Sequence, residues 1–74
     1  MNNRKVTKYV AHPGSLVWVR IKDKWRQGVI SRLVRTKIEV SYANKEDKMK
    51  IASVHYEDLL FRKLGETEPP KEMP

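Results

Sequence analysis

The sequence contains no cysteine, so no disulfide can brace it and no thiolate can bind a metal. A chain of 74 residues must therefore stand on its hydrophobic core alone. At this length folding removes only about 60% of the unfolded chain's exposed surface, which leaves room for one compact domain. The missing thiols fit a reducing, intracellular setting: the nucleus in a eukaryote, the cytoplasm in a bacterium or phage. Long apolar runs are missing too. Nothing approaches the roughly 18 residues of a spanning helix, and no signal-like apolar stretch follows the start, so no membrane partner is expected. Glycine is scarce, and Gly14, Gly28 and Gly65 stand too far apart to cradle a phosphate together. There is no nucleophile elbow and no Ser/His/Asp order. Glu46-Asp47 and Glu57-Asp58 read as a solvated loop and a capped turn. His12 and His55 have neither cysteine neighbours nor paired spacing, so neither a metal nor another cofactor is expected. These absences describe a binding module and not an enzyme.

Positive charge is what the chain has in excess. The net charge is +7, and its distribution is uneven. Residues 1–40 hold ten Lys or Arg against Asp23 and Glu39, whereas residues 41–74 hold six against seven acidic residues. Such a bias attracts a polyanion, with nucleic acid first and an acidic protein surface second.

Turn and strand signals divide the chain into three parts. Residues 1–12 are polar and basic, with Arg4, Lys5 and Lys8, and read as a flexible arm with at most a short strand near Tyr9-Val10. His12-Pro13-Gly14 is a turn signal that opens a domain over residues 13–64. Residues 65–74, with three prolines, read as a disordered tail. Within the domain, Ser15 to Lys22 alternates, with Val17, Val19 and Ile21 on one face and Leu16, Trp18 and Arg20 on the other. Trp25 to Val34 is a second run, where Gly28 suggests a bulge or tight bend. Lys37 to Tyr42 alternates cleanly and Lys48 to Val54 forms a fourth run. Val54 to Leu59 suits one helical turn, and Leu60-Phe61-Arg62 a closing strand. The links, Asp23-Lys24, Arg35-Thr36 and Ala43 to Asp47, are short enough for an antiparallel meander that curls on itself.

Four groups of residues carry a family resemblance. They are Pro13-Gly14-x-x-Val17-x-Val19, Trp25-x-x-Gly28-x-Ile30, Ile38-x-Val40-x-Tyr42 and Tyr56-Glu57-Asp58-Leu59. Together they resemble the SH3-like barrel superfamily over residues 13–62. The resemblance implies an all-β fold: a small five-stranded SH3-like (Tudor-like) barrel with one short helical turn before the last strand. Two branches are similar. The Tudor branch implies an aromatic cage for methylated lysine or arginine, with Trp25 and Tyr42 as its walls. The branch of retroelement integrase C-terminal domains, similar at Gly14-Ser15-Leu16-Val17-Trp18-Val19-Arg20 and Val54-His55-Tyr56-Glu57-Asp58-Leu59, implies a basic surface that grips DNA.

Ile21 fills the place of a first-strand aromatic and Arg26 sets a cation beside Trp25, which ranks the polyanion above the cage. The expected interface is Arg20, Lys22, Lys24, Arg26, Arg32, Arg35 and Lys37, neighbours on the first three strands, with Trp18 or Trp25 stacking on bases. Trp18, opposite Val17 and Val19, is expected to be partly exposed. Nucleic acid, DNA ahead of RNA, is the expected partner, with a methylated or acidic protein segment as the alternative. Oligomeric state stays open.

Overall fold

The first two strands of this chain end where the backbone turns left-handed, at Lys22 and at Arg35. The computed structural model describes residues 4–7 and 10–71. Its elements are β1 (Leu16–Ile21), β2 (Lys24–Val34), β3 (Lys37–Ala43), β4 (Met49–Val54), a 3₁₀ turn (Tyr56–Asp58) and β5 (Leu59–Phe61). All five strands lie in one antiparallel sheet of order β4-β3-β2-β1-β5. Ile21 pairs with Lys24, so the first hairpin turns on Lys22 and Asp23, one residue earlier than the sequence suggests. Both turn residues have positive φ, 50° and 65°, the geometry whose twist matches that of the flanking strands. Val34 pairs with Lys37 across Arg35-Thr36, with Arg35 at φ 45°. Between β3 and β4, the Asn44 side-chain oxygen accepts from the N–H groups of Glu46 (2.8 Å) and Lys48 (3.1 Å) and shapes the loop.

The two edge strands share one core. Val54 of β4 and Leu59 of β5 belong to the same buried cluster as Val17, Val19, Ile30, Ile38 and Val40. In a flat sheet these edges would stand about 19 Å apart. The five-residue step from Val54 to Leu59 reaches at most about 17 Å even when fully extended, and here it contains a 3₁₀ turn. The sheet must therefore curl. Among the described residues no ladder joins β4 to β5, so it is curled but open along that seam.

Two positions on β2 permit the curl, and only one is the glycine. The register shifts between Ile30 and Arg32, which places the bulge at Ser31 and not at Gly28 as expected. Gly28 serves a close approach instead. A Cβ there would lie 2.7 Å from Val40 Cγ1 and 3.0 Å from the Ser41 carbonyl oxygen.

The described parts of both terminal segments pack against the rest of the chain, where the sequence suggests a free arm and a disordered tail. Val6 and Ala11 are buried in the core, Lys5 bridges to Leu60, and the Arg4 carbonyl accepts from the Phe61 N–H at 2.7 Å. The arm thus covers the β5 edge, which would otherwise offer unpaired backbone groups. At the other end Pro70 is buried. The Glu66 carboxylate accepts from the Lys63 N–H at 3.1 Å and the Trp18 indole N–H at 3.2 Å, and it pairs with Arg4. Lys8, Tyr9 and the last three positions of the tail lie outside the described residues.

Candidate nucleic-acid interface

Strand alternation decides which expected contact residues can meet a ligand. On the outer face of β1, Trp18 is only 2% exposed and so cannot stack on a base. The expectation of a partly wet Trp18 fails because the tail crosses that face. Glu66 bonds its indole, and the Arg62 guanidinium lies 5.9 Å from the ring centroid. Trp25, opposite Arg20 in the β1–β2 register, shares this outer side and is half-buried.

Two of the seven expected cations are already neutralised. Arg20 Nη2 donates to Asp58 Oδ1 at 2.9 Å, where both side chains are largely covered. Arg32 forks onto Glu39, Nε to Oε1 at 3.0 Å and Nη2 to Oε2 at 3.2 Å. The bonds to Glu39, and then its charge, raise the Arg32 pKa further above its ordinary value.

The remaining five do not form one patch. β2 runs for eleven residues, a span of roughly 33 Å at the usual rise per residue. The longest extent of the molecule is itself 33 Å. Lys22, Lys24 and Arg26 therefore sit at one end, and Arg35 and Lys37 at the other. The expectation that all seven cluster overlooked the length of this strand.

The first of these ends contains a hollow. Ile21, Lys22, Arg26, Tyr42, Asn44 and Lys50 line a solvent-open space of about 260 Å³. Three cations arrive from three segments: Lys22 from the first hairpin, Arg26 from β2 and Lys50 from β4. None of the six lining residues is acidic. Tyr42 pairs with Gly28, so it lies on the side of the sheet that carries Arg26, opposite to Trp25. The two rings of the alternative cage thus face opposite sides and do not converge.

Arg26 differs from its peers in having no partner. Among the described residues four arginines are half-buried: Arg4, Arg20, Arg26 and Arg62. Arg4 binds Glu66 and the Phe61 carbonyl, Arg20 binds Asp58, and Arg62 donates to the Glu66 carbonyl at 2.9 Å. Arg26 has no hydrogen bond or ion pair among the described residues.

Lys50 and Asn44 are members of the hollow that the sequence reading missed. The near-neutral balance of the C-terminal half hid Lys50. The signal was its alternation with Ala52 and Val54, which sets it on the core side of β4 at the open end. No protein-family model matches the chain, and no curated protein or solved structure matches it.

Proposed function

We propose that the chain is a non-catalytic nucleic-acid-binding module of the SH3-like barrel kind, holding backbone phosphates with little sequence preference. The barrel reading is supported by five curled antiparallel strands with a 3₁₀ turn before the last. The observation that carries the functional reading is the uncompensated cations at one end of the sheet. Lys22, Lys24, Arg26 and Lys50 have no carboxylate partner among the described residues, whereas Arg20 and Arg32 do. Phosphates are the natural partners of such a set, and among the described residues there is no α-helix to enter a major groove and read bases. DNA stands ahead of RNA as the partner.

The test is anisotropy of a labelled short DNA titrated at several salt concentrations. Neutralising about four phosphates gives a log–log slope of about −3 to −4. Binding that ignores salt, or no binding at low salt, would overturn the proposal. An acidic protein segment is the second reading, drawn by the same positive charge, with Met49 and Ile51, each 67% exposed on the edge strand β4, as its apolar contacts. That ligand would weaken on Ile51→Ser, a change that leaves nucleic-acid binding in place. The methyl-lysine cage has the least support, since only Tyr42 of its two rings reaches the hollow.

A further inference from the structure

Four half-buried arginines among the described residues differ in what their guanidinium groups meet. At Arg4, Arg20 and Arg62 the chain supplies an oxygen acceptor, although the Arg62 Nε stays buried without one. At Arg26 it supplies none, and instead brings Lys22 and Lys50 to the same hollow. A ligand with anionic oxygens would supply the acceptor that the described residues do not.

We infer that the hollow is a subsite for one phosphate of an unpaired nucleic-acid strand, with the adjoining base set against Tyr42. This rests on the nucleic-acid reading above and narrows it from a charged surface to one seat. A guanidinium offers its planar fork to two phosphate oxygens at once, and the two lysines supply point charges on either side. Asn44, whose side-chain oxygen is held by the Glu46 and Lys48 N–H groups, and Tyr42 are the neutral polar residues of the lining. A volume of about 260 Å³ lies just under the roughly 300–1,000 Å³ that holds drug-sized ligands. It suits a phosphate with part of one nucleotide. In a duplex the bases are stacked inside and cannot reach Tyr42, whereas an unpaired base presents its face to an aromatic side chain. A cation is excluded by three positive charges. An isolated carboxylate is less favoured than a polyphosphate chain, because Lys24 extends the positive charge beside the hollow, whereas Lys45 and Lys48 are balanced in their loop by Asp47 and by Glu46, which pairs with Lys48 at 3.9 Å.

The experiment is an NMR titration of the full chain, first with inorganic phosphate, then with a short oligothymidylate, its duplex with oligoadenylate, and an acidic peptide. Phosphate should shift the amides of Lys22, Arg26, Tyr42, Asn44 and Lys50 and leave those of Arg35 and Lys37 in place. Oligothymidylate should shift the same set and bind more tightly than the duplex. Arg26→Gln should weaken oligothymidylate about tenfold, the loss of one charge-assisted contact, while Arg35→Gln changes it less than about twofold. Lys50→Gln, at an exposed position, should weaken it in the same direction and serves if Arg26→Gln does not fold. Salt-dependent DNA binding with shifts elsewhere and no effect of Arg26→Gln or Lys50→Gln would overturn the subsite and leave the general function standing. No binding to any nucleic acid overturns both. Equal affinity for strand and duplex, or shifts of this set by the acidic peptide alone, would also overturn the subsite.

Discussion

Arg20 and Arg26 lie on adjacent strands, six residues apart in sequence, and both are half-buried. One is neutralised by Asp58 beneath the outer face; the other meets no acid at the open end of the sheet. The same contrast divides the two tryptophans. Trp18 is sealed under the tail and bonded by Glu66, while Trp25 remains half-covered near the first hairpin. A count of charges or rings does not reveal a contact surface. What reveals it is which of them the fold leaves uncompensated. The sealed face is where Arg4, Arg62 and Glu66 gather over Trp18, and the open end is where the proposed ligand would bind.

The sharpest way to break this division is to delete each tryptophan. Trp18→Ala should cost about 3–5 kcal/mol, as for a fully buried indole. A domain of this size has only about 4–11 kcal/mol in total, so much of that variant should be unfolded at ambient temperature. Trp25→Ala should cost about 1 kcal/mol, the ordinary loss for a partly covered side chain. Thermal melts followed by circular dichroism measure both. Comparable losses would mean that the sealing of the outer face is not concentrated under the tail at Trp18.

A smaller effect separates the arginines. Arg20→Leu strands the largely covered Asp58 carboxylate and should destabilise by about 1 kcal/mol. Arg26→Leu strands nothing and removes a partly desolvated charge, so stability should rise by about 0.5–1 kcal/mol while DNA affinity falls. Urea denaturation gives the first pair of numbers and anisotropy the second. A destabilised Arg26→Leu would show that the guanidinium is held by the fold and not reserved for a ligand.

The strands were legible in the sequence because their signals are local. Val17, Val19 and Ile21 alternate within six residues, and the alternation alone places β1 to within a residue of its ends. Ile38, Val40 and Tyr42 do the same for β3. The covering of Trp18 was not legible, since Glu66 lies 48 positions away and arrives in a segment with no periodic pattern. Arg4 reaches the Phe61 carbonyl across 57 positions, again without a local cue. The bulge was misplaced because a glycine in a strand serves either extra backbone freedom or close approach. Only the neighbouring strand shows that Val40 needs the space at Gly28. The seven cations were read correctly as a positive bias. Their division followed from two carboxylates and one long strand, which composition does not contain.

The smallest expected effect tests the seal itself. Glu66 is held below the usual carboxylate range, first by the Lys63 N–H and then by the Trp18 indole and Arg4, which together outweigh its partial desolvation. A carboxylate with a lowered folded pKa stabilises fully above its ordinary value, near 4.5, and loses that contribution as pH falls through the folded value. The tail should therefore stay latched at neutral pH and loosen only in acid below about 4.5. With Trp25→Phe as background, Trp18 is the sole indole, and its emission should move to longer wavelength over that acid interval as water reaches the ring. Glu66→Gln should remove the acid dependence while leaving a weaker seal at all pH values, because the amide can still accept the indole bond but no longer pairs with Arg4. DNA affinity should be unmoved by this substitution, since the hollow around Arg26 shares no residue with the latch. If Glu66→Gln changed binding as much as Arg26→Gln, the two sides of the sheet would be coupled, and the separation of a structural face from a binding end would fail.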